Sequence, residues 1–304
     1  MIGAAKEMSR PVARDLGREE YSELAVRMPV RVVGPRAMSG DFRRFLTLTW
    51  MLAYLEFKLK FFGSVLGYAW QLMKPLMMFA VLYFVFTEVI RIGGGVPYYP
   101  VVLLSGIVLF GFFSESTVGA ITSVVEREGL IRKISFPIVS VPISTVTSVF
   151  LTLMLNYLVV LSFALASGVT PTWRWVQIGP LLVLLYIAAA SASLALSSLY
   201  VRFRDVKPIW EVIAQVLFYA TPVIYTIEFV QEKSATLAQV MMCNPLATIL
   251  QQMRHSAIDP ASPSAVDALG GWLYLAIPMG IVVLMALFGF FSMRRLAPNL
   301  AEEL

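Results

Sequence analysis

The sequence predicts an all-α membrane protein. It reads as six transmembrane helices, an N-terminal amphipathic helix lying in the membrane interface, and a short helical hairpin on the outer side between the last two spans. Three observations predict this. The chain is 58% hydrophobic and 14% charged, with mean hydropathy +0.76. Soluble domains carry about 25% charged residues, so the solvent for much of this surface is lipid. Apolar stretches close to the roughly 20 residues that cross a bilayer recur six times, and Lys and Arg collect on alternate sides of them.

Residues 1–42 are polar and of mixed charge, without the apolar core of a cleaved signal peptide, and read as a cytoplasmic tail. Residues 43–62 predict the interface helix: Phe45, Leu48, Leu52, Leu55, Leu59 and Phe62 recur at steps of three and four. Arg43, Arg44, Glu56, Lys58 and Lys60 lie off that stripe, with Glu56 and Lys60 spaced as an i,i+4 pair. The spans follow at about 74–92, 98–125, 137–167, 178–201, 209–227 and 272–293, and residues 296–304 form a second cytoplasmic end. Gly93-Gly94-Gly95 with Pro97, and Gly168 with Pro171, break the chain between spans. The second and third stretches exceed a bilayer's thickness and predict tilt or a protruding end. Residues 228–271 are too apolar for a simple loop; they predict two short helices broken at Asn244-Pro245.

With the N-terminus inside, the outer segments hold only Arg91, Arg174, Lys233 and Arg254 of the 24 Lys and Arg. The positive-inside rule therefore sets both termini in the cytoplasm. Omitting the fifth span would strand Arg294 and Arg295 outside. This topology also accounts for the net charge of +5, which then implies no nucleic-acid partner. No polar block is long enough for a second folded domain. One cysteine, Cys243, and one histidine, His255, give neither an intrachain disulfide nor a metal set.

The inner segments carry the first candidate site. Glu126, Arg127, Glu128, Gly129, Leu130, Ile131, Arg132 and Lys133 place charges around a Leu-Ile pair, an apolar knob with a charged rim that suits a groove in a partner. Phe79, Tyr83 and Phe86 share one face of the first span, and Phe218, Tyr219 and Tyr225 cluster on the fifth. Aromatic faces stack on the C–H faces of sugar rings, and they equally pack helices together. Thr221-Pro222 interrupts the fifth span's backbone bonding and is a candidate hinge. Glu115 is the deepest ionisable residue and hence a functional candidate.

An ordered set of motifs resembles a known family. It runs from Leu66-Gly67-Tyr68-Ala69-Trp70-Gln71-Leu72-Met73-Lys74-Pro75-Leu76 through Phe112-Phe113-Ser114-Glu115 to Gly129-Leu130-Ile131-Arg132-Lys133-Ile134-Ser135-Phe136-Pro137. It continues with Arg204-Asp205-Val206, Thr221-Pro222-Val223-Ile224-Tyr225 and Asn244-Pro245-Leu246. In order and spacing these resemble the permease subunits of type-2 ABC exporters of polysaccharides, the O-antigen, teichoic acid, capsule and galactan exporters. The likeness covers about residues 43–295. It implies a homodimer in the bacterial cytoplasmic membrane, bound to two copies of a separate ABC ATPase and moving a lipid-linked glycan outward. It further implies that residues 126–133 form the coupling helix and that the aromatic residues of the first and fifth spans line a channel. The chain has no G-x-x-x-x-G-K-[ST] loop, so it binds no cofactor of its own on this reading and is no enzyme. ATP and Mg would sit on the partner subunit. A drug or small lipid as cargo, an ion-coupled carrier, and last a membrane enzyme are the rival readings.

Overall fold

The structure, a computed structural model, describes residues 42–61, 67–90, 95–129 and 137–296. All regular structure among them is helical. The N-terminal tail, Arg91 and Leu130–Lys133 lie outside the described residues. Helix α1 spans Phe42–Phe61, and α2 spans Gly67–Phe84 and runs on into a wider π turn, Val85–Val89. The long helices α3 (Tyr99–Glu126), α4 (Ser140–Ala166) and α5 (Ile178–Arg202) follow. Next come α6 (Val206–Ala220) and four short helices, α7 (Ile227–Lys233), α8 (Ala235–Met242), α9 (Pro245–Ala257) and α10 (Ala265–Leu269). The last is α11 (Ala276–Leu296). Among the described residues five stretches are long and apolar enough to cross a membrane: Ala69–Val89, Tyr99–Glu126, Ser140–Ala166, Trp173–Arg202 and Trp272–Leu296.

The predicted fifth span is shorter than expected. Helix α6 has 15 residues, about 22 Å at 1.5 Å per residue, against roughly 30 Å of hydrocarbon. It stops because Pro222 has no N–H and pushes the preceding Thr221 out of the helical region, to φ −96 and ψ 139. Residues 221–226 then turn back onto α3. The Tyr99 hydroxyl donates to the Ile224 carbonyl at 2.8 Å, and a Cβ on Gly106 would meet the Val223 carbonyl at 3.2 Å. Gly106 is what lets this non-helical backbone lie so close.

Helix α3 forms the centre, buried along most of its length between α4 and α5. Lipid gives helices little hydrophobic reason to associate, so close approach of small residues matters. Helix α5 supplies Ala188, Ala189, Ser191, Ala192, Ser193 and Ala195, all buried. The Ser191, Ser197 and Ser198 hydroxyls bond back to their own helix, as Ser191 does to the Ile187 carbonyl at 2.7 Å, whereas Ser193 donates across to the Ser116 carbonyl of α3 at 3.4 Å. Against this surface α11 brings Gly289, where a Cβ would stand 2.7 Å from the Ala195 nitrogen. Further along, Met293 joins Val201 in a cluster with Val124, Ile138 and Val141, flanked by Phe45 and Leu52 of α1. Helices α5 and α11 therefore run in the same direction, and both end beside α1.

Helix α1 packs on α4 through a face shifted from the predicted stripe. Thr49 and Ala53 are buried with Phe45 and Leu52 half-buried beside them, whereas Leu55 and Leu59 are exposed along with Trp50. The small Ala53 permits close approach, and the Thr49 hydroxyl is satisfied by the Phe45 carbonyl at 2.8 Å. The inward face continues into Glu56, which periodicity places off the stripe.

Candidate functional site

Two ridges spaced at four residues face each other across a cleft at the α1 end. On α3 the ridge is Gly111, Glu115, Gly119 and Ser123, extended by Arg127 at the helix terminus; on α4 it is Ser148, Thr152 and Asn156, continued by the buried Ser144, which bonds to Arg127 and Glu56. Residues four apart share one helix face, so each ridge is a continuous small and polar stripe. The α3 ridge extends for about 24 Å. Helix α1 roofs one part with Glu56, Leu59 and Lys60, enclosing about 420 Å³. Helix α2 roofs the next with Gln71, Lys74, Pro75 and Met78, enclosing about 200 Å³. Glu115 and Val149 line both cavities, so the cleft is continuous.

Its charges are arranged across helices. Glu56 and Lys60 do not pair with each other. Glu56 accepts from the Arg127 guanidinium and from the Ser144 hydroxyl at 3.2 Å, while Arg127 also donates to Ser144 at 3.1 Å. Lys60 pairs with Glu115, which also accepts from the Gln71 amide at 3.3 Å. A carboxylate with a cross-helix cation and a second donor is better satisfied than one with only a flexible neighbour on its own helix. At the start of the predicted partner-binding segment, Arg127 turns inward to Glu56, while Glu126 before it and Gly129 beyond it are exposed.

The aromatic candidates separate into two groups. Phe79 stacks on Tyr83 at 5.6 Å and meets Phe163 of α4 edge-on at 5.9 Å; Phe86 lies half-buried in the π turn. Phe218 packs against Phe110 of α3 at 5.2 Å, and the Tyr225 hydroxyl donates to the Tyr219 carbonyl at 2.8 Å. Tyr219 itself is exposed, on an α6 face shared with Ile209, Val212 and Val216. Thr221 is fully buried, its hydroxyl accepting from the Asn244 amide at 3.0 Å, and Pro222 follows the helix end. The fold therefore ties the candidate hinge to the helical hairpin at Asn244.

Periodicity read for apolar residues passed over the α4 ridge. The signal was present in sequence, as Ser144, Ser148, Thr152 and Asn156 at steps of four within a span. Gln71 and Lys74 stood inside a quoted motif without a role. Among the described residues no group of His, Cys, Asp and Glu is placed to hold a metal.

These features define a multi-pass helical membrane protein with a charged cleft at one end of its bundle. Residues 47–258 match the family described as ABC-2 type transporter, and the chain belongs to that family. Its members are transmembrane subunits, with ATPase activity on a separate subunit. The chain is similar to the O-antigen export system permease protein RfbA of Myxococcus xanthus, 27% identical over 245 residues, which is 80% of this chain and 91% of that protein. A protein of the same name from Klebsiella pneumoniae is 28% identical over 200 residues, 66% of this chain and 75% of that one. Another from that organism is 26% identical over 201 residues, 66% of this chain and 76% of the relative.

Proposed function

We propose that this chain is the transmembrane subunit of an ATP-driven exporter that moves a lipid-linked polysaccharide outward across the bacterial cytoplasmic membrane. On this reading it works as a homodimer with two copies of an ABC ATPase, which hold the ATP and Mg. The likeness over 245 residues to a permease named for O-antigen export carries the reading. Six crossings are part of it. Helices α5 and α11 run in the same direction, so the chain returns across the bundle between them. Helix α6, extended by residues 221–226, is the segment available for that crossing. The positive-inside bias puts the α1 end, with both termini, in the cytoplasm.

The coupling segment, residues 126–133, then faces the ATPase. Arg127 links it to Glu56 of α1, and Lys60 links α1 to Glu115 of α3. A displacement of the segment is passed to α1 and from there to the middle of α3, through groups with discrete alternative partners. The exposed α6 face that carries Tyr219 is the aromatic surface offered to a glycan or a second copy.

Co-purification with the ABC ATPase encoded beside this chain tests the reading, comparing the wild type with the double variant Leu130→Asp/Ile131→Asp. A complex of two permeases and two ATPases, lost in the variant, is the expected result. An unaltered ATPase association in the variant would remove the coupling assignment, and no association in the wild type would remove the exporter reading.

A further inference from the structure

Arg254 of α9 uses only part of its guanidinium in ion pairs. One terminal nitrogen donates to Glu228 at 2.7 Å, and the other reaches towards Asp259 at 3.5 Å. The third nitrogen, Nε, is buried and has no hydrogen-bond partner among the described residues. A charged donor buried without an acceptor costs more than a neutral one. Buried polar groups are almost always bonded, to protein or to ordered water.

Arg254 lines a cavity of about 20 Å³ between α3, α9 and the turn at residues 221–226. Two hydroxyls line it as well, and both residues are buried. Ser105 of α3 is hydrogen-bonded to Tyr157 of α4, and a hydroxyl with one such bond still has a lone pair to offer. Thr226 ends the turn as the N-cap of α7. Its side chain makes no capping bond, nor any other hydrogen bond among the described residues. The Gln251 amide also lines the cavity, but its Nε2 is already committed to the Pro263 carbonyl at 2.7 Å. Polar groups from α3, the turn and α9 therefore converge on one small space. A single water needs about 10–15 Å³ and makes about three hydrogen bonds when buried.

Charge decides what fits. Arg254 already stands against two carboxylates, so an anion would be repelled. A cation would face the Nε–H donor. The ligand must be neutral, one heavy atom in size, and able both to accept and to donate.

We infer that this cavity binds one structural water molecule, which accepts from Arg254 Nε and bonds to the hydroxyls of Ser105 and Thr226. The water ties the Thr226 end of the turn to α3 and α9. The Thr221 end is held directly, by the Asn244 amide at 3.0 Å. The candidate hinge thus has one fixed end and one end held through a water, whose bonds can re-form as the turn shifts. Such a site is independent of what the protein exports.

The test is a crystal structure of the full chain, at a resolution that orders single waters, from crystals grown in chloride and then soaked in bromide. The expected result is a peak about 2.7–3.2 Å from Arg254 Nε that carries no anomalous bromine signal. The lack of any peak overturns the site, and a bromine signal overturns the water assignment in favour of an anion. Thr226→Val reads the same site in solution, because the two side chains share one shape and the Thr226 hydroxyl serves no cap. With the water bound, the variant loses a hydrogen bond and should melt about 3 °C lower in detergent. Without it, the variant exchanges an unsatisfied buried hydroxyl for a methyl group, so an unchanged or raised melting temperature overturns the site.

Discussion

The two ends of the bundle use charge differently. At the end carrying α9, Arg254 is 7% exposed and donates to Glu228 at 2.7 Å and towards Asp259 at 3.5 Å. Beside it Arg174 donates to His255 Nε2 at 2.8 Å, which leaves His255 Nδ1 to donate to the Ser262 carbonyl at 2.6 Å. These contacts join the connection before α5 to the short helices. At the other end Lys60 and Glu115 are 35% and 40% exposed, and Arg127 and Glu56 are 24% and 21% exposed. A buried charge that loses its partner has no substitute, whereas a half-exposed one can turn to water or another ion. The first end is therefore stapled and the second can be rearranged. That contrast fits a protein whose moving parts lie beside a partner subunit.

The contrast can be broken most severely at Arg254. Arg254→Ala leaves Asp259 buried and unpaired, and should lower stability by about 3 kcal/mol or more, read as a fall in the melting temperature of detergent-purified protein. A change below about 1 kcal/mol would mean that the staple is no staple. Double-mutant cycles sharpen the other end. Glu56→Gln with Arg127→Gln should give a coupling of about 1 kcal/mol, and Lys60→Gln with Glu115→Gln about 0.5 kcal/mol or less. Only the second coupling should fade markedly in high salt, because its charges are the more exposed.

The smallest effect belongs to the α10 cap. Ser264 and Asp267 form a capping box, and the hydrogen bonds from the Ser264 hydroxyl and backbone N–H hold the Asp267 carboxyl below its ordinary value. A lowered folded-state value means that the cap is fully effective above the usual carboxylate range and is lost as pH falls through the lowered value. Hydrogen exchange of α10 should thus show protection that declines in acid, and Asp267→Asn should remove the pH dependence.

Much of this fold was legible in sequence because a bilayer imposes its own thickness. Apolar runs of the right length located α3, α4, α5 and α11, and Asn244-Pro245 located the break at which Asn244 caps α9 through the Leu246 N–H at 3.0 Å. Helix α6 was legible as apolar but not in length, since the stop at Thr221 is stabilised by contacts from Asn244, Tyr99 and Gly106, far away in sequence. The site was less legible. The composition of each ridge could be read from its own helix, yet nothing along α3 says that Glu115 faces Lys60, or that Arg127 reaches Glu56 across 71 residues.

By itself, then, the sequence determined that the chain lives in lipid, where its helices begin, and which motifs it shares with its relatives. All of these depend on local composition and on spacing along one strand of chain. Only the tertiary structure decided which face of α1 turns inward, which carboxylate each cation takes, and that two polar ridges and Lys74 enclose one cleft. Those outcomes depend on how closely helices approach, and the approach is set by Ala53, Gly119 and Gly289 meeting residues that are distant in the chain.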